Sequence, residues 1–308
     1  MSILSKIIDS VKIEIKAAEE REVIKPFGLN NIVLPINYLV QINKGYAFDL
    51  DNQRVIKEGE FTFRPTGSII NVKYGKSSSH KMFGPELFSS DEERLQYMKR
   101  LNPSENHSKK EMVFSFVAFD VLLYENIPLF KVLDLPFIPM PYDQELSTLI
   151  QNICVEFFFD RMGKDRLLKN YTEEVVVQIF RYISTQPQYS KNVNKVDYLF
   201  DKRLVSIIQY IQEHLGDDLS NKKIAEVAFL SEDYIGQFFK SLTGMNMQDY
   251  VENQRLDKAL ALLNLSEYNV QQISAAVGFK DPAYFSRRFK MKFNINANAV
   301  RKTERKLI

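Results

Sequence analysis

Hydrophobic and polar positions change their spacing several times along the chain, and each change marks an element. Ile3, Leu4, Ile7, Ile8, Val11 and Ile15 recur at helical steps, which predicts an amphipathic helix over residues 3–20. From 32 to about 75 the period becomes two: Ile36, Tyr38, Val40 and Ile42 alternate with Asn37, Gln41 and Asn43. Lys44-Gly45, Asp49–Asn52 and Glu58-Gly59 punctuate these strands, and Pro65-Thr66-Gly67-Ser68 closes the segment Glu60–Arg64. Short strands so spaced predict a small antiparallel barrel or jelly roll. Residues 75–111 are polar, with a short helix expected near 90–100, and Met112–Tyr124 is apolar at nearly every position, as a buried strand would be. Gly75-Lys76-Ser77 is not a phosphate loop, because Ile70 occupies the place of the required upstream Gly.

Helical spacing then returns. Gln144–Phe159 carries Leu146, Leu149, Ile150 and Ile153 on one face. Leu167–Ile183 carries a stripe of Leu168, Tyr171, Val175, Val176, Ile179, Phe180 and Ile183, which either packs on the barrel or pairs with a second subunit. Ser184–Asn194 is polar with one Pro and is expected to be a linker.

Near the C-terminus one pattern occurs twice. Tyr234-Ile235-x-x-x-Phe239-Lys240 recurs as Tyr284-Phe285-x-x-x-Phe289-Lys290, each copy after a short amphipathic segment (Ile224–Ala228 and Ile273–Val277). Helix, tight turn and second helix, duplicated, is the layout of two DNA-reading units. In the first, Ser220 and Ser231 are expected to cap their helices through their side chains, with Phe229–Ser231 as the turn. In the second, Asn269 and Gln272 fit a capping box, Gly278 the tight turn, and Asp281-Pro282 an N-cap followed by Pro at the first helical position. Tyr234, Ile235, Phe238 and Phe239 should face the core, as should Tyr284, Phe285 and Phe289. Glu232, Asp233, Gly236, Gln237 and Lys240 then face outward, with Pro282, Ala283, Ser286, Arg287 and Lys290 in the second unit. Arg287 suits guanine, Gln237 adenine and Asp233 cytosine, while Lys240, Arg288 and Lys290 suit phosphates.

Charge sharpens this picture. Residues 1–200 hold 25 Lys and Arg against 26 Asp and Glu, whereas residues 201–308 hold 16 against 13. Nine of those bases lie from Lys280 onward, opposed only by Asp281 and Glu304. A hydrophobic content of 45% argues for packed domains, and 308 residues suffice for two. The single Cys154 excludes an internal disulfide, and three scattered histidines (His80, His107, His214) argue against a metal site, so no metal and no cofactor is expected. The absence of a secretory or spanning apolar run makes a cytoplasmic protein without membrane contact the expectation.

Residues 201–302 resemble the DNA-binding domain of AraC/XylS-type transcription regulators. The residues that carry the resemblance are Ile224-Ala225-x-x-Ala228, Ser231-x-x-Tyr234, Phe239-Lys240, Thr243-Gly244-Met245, Tyr250, Arg255-Leu256-x-x-Ala259-x-x-Leu262-Leu263, Ile273, Val277-Gly278-Phe279, Tyr284-Phe285-Ser286-Arg287 and Phe289-Lys290. The resemblance implies seven helices, residues 247–263 as a rigid connector, and two recognition helices entering successive major grooves on one face of DNA. Asn294 and Ala297 stand where the family usually has Gly and Pro, so the end of the last helix is expected to differ.

The N-terminal half resembles the cupin-like sensory domains of the same family, through Leu39–Ile70 with its glycines and Ile127-Pro128-Leu129-Phe130. The expected fold is therefore α+β: a cupin-like β-barrel with flanking helices over 1–185, a linker over 186–200, and an all-α domain with two helix-turn-helix units over 201–308. Tyr38, Phe48, Phe61 and Phe63 either line a ligand pocket in the barrel or fill its core. The implied function is a sequence-specific regulator, not an enzyme, with promoter DNA and RNA polymerase as partners, a small-molecule effector, and a homodimer through helix 167–183. The alternatives are a cupin-type enzyme with an accessory nucleic-acid-binding domain, or a regulator whose N-domain serves only protein–protein interaction.

Overall fold

The computed structural model describes residues 10–84, 91–265, 268–293 and 295–304. The chain forms two compact units, one comprising Met1–Leu123 and Pro128–Asn194, the other Tyr124–Ile127 and Lys195–Ile308.

Among the described residues the β-rich part of the chain has twelve strands: β1 (Val11–Val23), β2 (Phe27–Val33), β3 (Asn37–Lys44), β4 (Tyr46–Asp49), β5 (Arg54–Lys57), β6 (Phe61–Arg64), β7 (Ile69–Tyr74), β8 (Lys81–Phe83), β9 (Met98–Arg100), β10 (Val113–Leu123), β11 (Ile127–Pro128), at the division between the units, and β12 (Ile138–Met140). One sheet runs β12-β6-β3-β10-β1-β9 with β11 also beside β10, and the other runs β5-β4-β7-β2-β8. β2 and β8 pair in parallel, whereas β1–β10, β1–β9, β3–β10, β3–β6, β6–β12, β2–β7, β4–β5 and β4–β7 pair antiparallel. A short helix α1 (Asp91–Tyr97) precedes β9, and α2 (Leu129–Leu133), α3 (Gln144–Phe158) and α4 (Lys164–Ser184) follow the strands. Both longer helices pack on β1 of the larger sheet, and α3 also on β10.

This layering explains why β10 is apolar throughout. Its even residues Phe114, Phe116 and Ala118 join the core between the sheets, while its odd residues Val113, Val117, Phe119 and Val121 are also buried, on the opposite face. A strand covered on both faces reads as one continuous apolar run. β3 shares this character: Tyr38, Val40 and Ile42 face the inter-sheet core. Asn37, Leu39 and Gln41 are buried too, the Gln41 amide donating to Ser147 of α3 at 2.9 Å.

Several expectations are corrected. Residues 11–20 are strand, paired with β10 from Val11↔Leu123 to Glu22↔Val113. Val11-Lys12-Ile13-Glu14-Ile15-Lys16 alternates strictly, so its period is two and not helical; residues 3–9 lie outside the described set. Of the aromatics expected to line a pocket, Tyr38 lines the cavity of about 330 Å³ between the two sheets, but Phe61 and Phe63 do not. β6 pairs with β3 so that Phe63 is opposite Leu39, and Phe63 packs on Phe119 and Phe130, on the helix side of the sheet. Phe48 is half-buried, one residue after Ala47, which faces the inter-sheet core. The stretch 186–200, expected as a linker, contains the division between the two units at Asn194/Lys195 and is locally helical. It holds a 3-10 turn (Pro187–Tyr189), α5 (Ser190–Val193) and α6 (Lys195–Leu199), with Tyr189, Val196 and Leu199 buried. The stripe on α4 is turned inward within its own unit: Leu168, Val175, Val176, Ile179, Phe180 and Ile183 are buried, and Phe180 stacks on Phe130 at 5.2 Å between ring centroids.

The second unit continues with α7 (Lys202–Glu213), α8 (Asn221–Ala228), α9 (Glu232–Thr243), α10 (Met247–Leu265), α11 (Val270–Ala276), α12 (Pro282–Phe293) and α13 (Ala297–Glu304). Among the described residues from 201 onward these are seven helices, the number that the resemblance implied, with α10 spanning the expected connector. Asn294 lies outside the described residues, while Ala297 is buried at the start of α13. No helix among the described residues is long and apolar enough to cross a membrane.

Candidate nucleic-acid interface

The first helix pair is set by its turn. α8 buries Ile224, Ala225 and Ala228 and ends at Phe229, which adopts a left-handed φ of 55°. The Leu230 amide then donates back to the Ala225 carbonyl at 3.0 Å, closing the helix end. Ser220 and Ser231 occupy the N-cap positions of α8 and α9, yet neither side chain makes a capping hydrogen bond, contrary to expectation. The start of α9 is held through the Ser231 carbonyl, which accepts from Tyr234 and Ile235.

In the second pair the predicted devices are all present. Asn269 Oδ1 accepts from Gln272 N at 2.9 Å, and Gln272 Oε1 accepts from Asn269 N at 2.8 Å. Gly278 turns the chain at φ 90°. Asp281 Oδ1 accepts from Ala283 N at 2.8 Å, and Pro282 opens α12. Phe285 and Phe289 are fully buried with Leu256, Ala259, Leu263, Ile273 and Val277.

Packing leaves two matching faces open. Asp233, Gln237 and Lys240 are exposed on α9, and Ala283, Ser286, Arg287 and Lys290 on α12, as expected from their spacing. Gly236 is half-buried rather than outward. The tyrosines of the repeated pattern depart further. Tyr234 is 47% and Tyr284 39% exposed, so both lie at the rim of the core. Each immediately precedes the residue that takes the buried position, Ile235 or Phe285, and one helical step of 100° carries the tyrosine off the buried stripe. Among the described residues no group of three or more His, Cys, Asp or Glu is placed to hold a metal ion.

Comparison with known proteins identifies this arrangement. Residues 224–303 match the family model described as a helix-turn-helix domain. The C-terminal unit is an AraC-type domain. The regulatory protein PocR of Salmonella typhimurium is 29% identical over 163 residues, covering 52% of this chain and 54% of that protein. The arabinose operon regulatory protein of Escherichia coli is 37% identical over 93 residues, or 29% of this chain and 31% of that one. The chain thus spans about half the length of PocR, and less of the second relative. Among solved structures, an AraC-type transcriptional regulator from Chromobacterium violaceum is 26% identical, with a TM-score of 0.31 over 33% of this chain and 90% of that one.

The connecting helix of the AraC-type domain does more than space its halves. Arg255 on α10 donates from Nε to the Leu215 carbonyl at 2.9 Å and from Nη2 to the Asp217 carbonyl at 2.8 Å. Burial pushes its guanidinium below the ordinary arginine value. The backbone of Gly278 lies against the same group: a Cβ there would sit 2.5 Å from the Leu215 carbonyl oxygen and 2.8 Å from Arg255. One side chain therefore ties the turn after α7 to the turn of the second helix pair.

Glu252, also on α10, accepts from the Tyr284 hydroxyl at 2.5 Å and pairs with Arg288. That hydrogen bond raises the Tyr284 phenol above its usual value, and the phenol's own partial desolvation and the charge of Glu252 act the same way. Arg288, expected at a phosphate, is instead half-buried and neutralised within the AraC-type domain. Glu252 was not singled out from sequence, and Arg255 only as part of the family resemblance, because their partners lie 32–40 residues away and only the fold brings them close. Glu252→Gln is expected to release Arg288, so that the slope of log affinity against log salt steepens by about 0.9. A salt titration of DNA binding checks this; an unchanged slope would mean that Arg288 never reaches a phosphate.

Proposed function

We propose that the chain is a sequence-specific, DNA-binding regulator of transcription whose first unit controls the second. The observation that carries the reading is the pair of helix-turn-helix units with matching exposed faces on α9 and α12. The regulatory proteins among its relatives support it and favour binding over catalysis. In this reading both recognition helices enter successive major grooves of promoter DNA. Arg287 makes a bidentate contact to guanine, Gln237 to adenine, and Asp233 accepts from cytosine. Lys240 and Lys290 contact phosphates, Ala283 and Ser286 pack against base edges, and Arg288 joins the phosphate contacts once it leaves Glu252.

RNA polymerase is the partner that such a regulator addresses, and the cytoplasm its location. Pairing with a second copy through 167–183 would use the polar face of α4, including Lys169 and Glu173, because the apolar stripe is buried. A small effector in the first unit is the controlling signal.

The test is binding of the purified chain to DNA upstream of its own gene, in a salt titration with and without unlabelled competitor. Competitor-resistant binding with a steep salt slope is expected. Arg287→Ala and Gln237→Ala should each cost about 1–3 kcal/mol of site-specific affinity while leaving non-specific binding nearly unchanged. Retention of full specific affinity in both variants would overturn the assignment of these faces.

A further inference from the structure

The two helix-turn-helix units repeat one pattern but differ at the residue that turns the chain. Between α11 and α12 the left-handed residue is Gly278, at a φ of 90°. Between α8 and α9 that place is taken by Phe229, at a φ of 55°. Glycine enters this region at no steric cost, whereas a residue with a Cβ is strained there, and a bulky one is a rare outlier. The second copy of the pattern carries the residue that the backbone prefers, and the first does not.

The fold gains little from the Phe229 ring in return, because the residue is 95% exposed. Single apolar residues at a surface are ordinary. One that also holds a strained backbone is not explained by folding, and strain of this kind collects where a chain binds something. Phe238 and Phe239, a few residues on in α9, are buried, so the unit has a core and Phe229 stands outside it.

Position and neighbours say what the ring meets. Phe229 comes two residues before Ser231, the N-cap of α9, and so adjoins the N-terminal end of that helix. In helix-turn-helix docking this end of the recognition helix meets base edges in the major groove. The surroundings are poor in groups that bind phosphate. The first turn of α9 carries Glu232 and Asp233, both exposed, and no basic residue occurs in the sequence between Lys223 and Lys240. A contact made here is to bases rather than to the backbone of DNA. The apolar group that base pairs offer in the major groove is the thymine C5 methyl, and a phenyl ring suits it.

We propose that Phe229 is a specificity-determining residue whose ring packs on the C5 methyl of a thymine in the half-site read by the first unit. Burial of the ring against DNA offsets the strain and exposure of the free chain. The inference rests on the reading of α9 as a recognition helix, and adds a thymine to what that helix selects. Discrimination by the first unit then comes from packing where its acidic first turn gives no attraction to phosphate.

The test compares the full chain with Phe229→Gly on two DNA fragments. One is the DNA upstream of its own gene, and the other is the same fragment with every thymine replaced by deoxyuridine, which lacks only the methyl. Loss of the methyls should weaken the unaltered chain about fourfold more than it weakens Phe229→Gly, the worth of one buried methyl-sized group. Thymines met by α12 count equally in both chains and cancel. The urea midpoint of Phe229→Gly should hold or rise, because glycine relieves the left-handed turn. Equal methyl penalties in the two chains overturn the proposal. So does a lowered urea midpoint, which would give the ring a role in the fold. Absence of competitor-resistant binding by the unaltered chain overturns the reading of α9 as a recognition helix and the proposal with it. Competitor-resistant binding with equal penalties overturns the proposal alone.

Discussion

Gly278→Val is expected to lower the stability of the second unit by about 2–5 kcal/mol and to abolish specific DNA binding. Two costs combine. The φ of 90° is a conformation that side chains with a Cβ rarely adopt, worth ~1–2 kcal/mol. The new Cβ also meets the Leu215 carbonyl at 2.5 Å and Arg255 at 2.8 Å, and overpacking of this kind costs ~1–3 kcal/mol. Neither neighbour can yield cheaply, because one is backbone and the other is held by two carbonyls. Gly244→Ala is the internal control: its φ is 68°, but a Cβ there meets nothing within 4 Å, so only the smaller conformational cost applies. Urea denaturation of both variants, followed by DNA titration, checks the difference. Equal losses would show that the contact with Arg255 is not a constraint.

Phe289→Ala is expected to cost about 3–5 kcal/mol, the range for truncating a fully buried aromatic side chain. Phe289 contacts Phe285 at 5.6 Å and Phe293 at 4.6 Å between ring centroids, so its removal opens a cavity under the face that carries Arg287. The midpoint of chemical denaturation reads the loss. DNA affinity under stabilising conditions separates it from a contact effect: Phe289→Ala should bind nearly normally once folded, whereas Arg287→Ala should not. A Phe289→Ala chain of unchanged stability would refute the burial that defines this recognition helix.

The expectations that succeeded were local in origin. The capping box at Asn269 and Gln272, the turn at Gly278 and the N-cap at Asp281 each depend on residues within four positions, and all are present. The exposed faces of α9 and α12 followed from helical spacing and the buried aromatics. Tyr234 and Tyr284 were misjudged because an aromatic ring is as much at home at a rim as in a core, and Tyr284 there donates its hydroxyl to Glu252. Residues 11–20 were misjudged because the helical spacing of 3–15 masked a strict alternation beginning at Val11.

By itself, the sequence determined that two helix-turn-helix units follow a β-rich region, and which side chains α9 and α12 leave exposed. These properties depend on periodicity and on short-range capping, which the chain carries within each segment. Only the tertiary structure decided that Glu252 restrains Tyr284 and Arg288, that Arg255 joins the two halves, and that Arg21, Arg64 and Tyr38 share one cavity while Phe61 and Phe63 do not. The reason is strand register and helix packing. Both bring together residues tens of positions apart, and a shift of one residue in register would exchange the two faces of a strand.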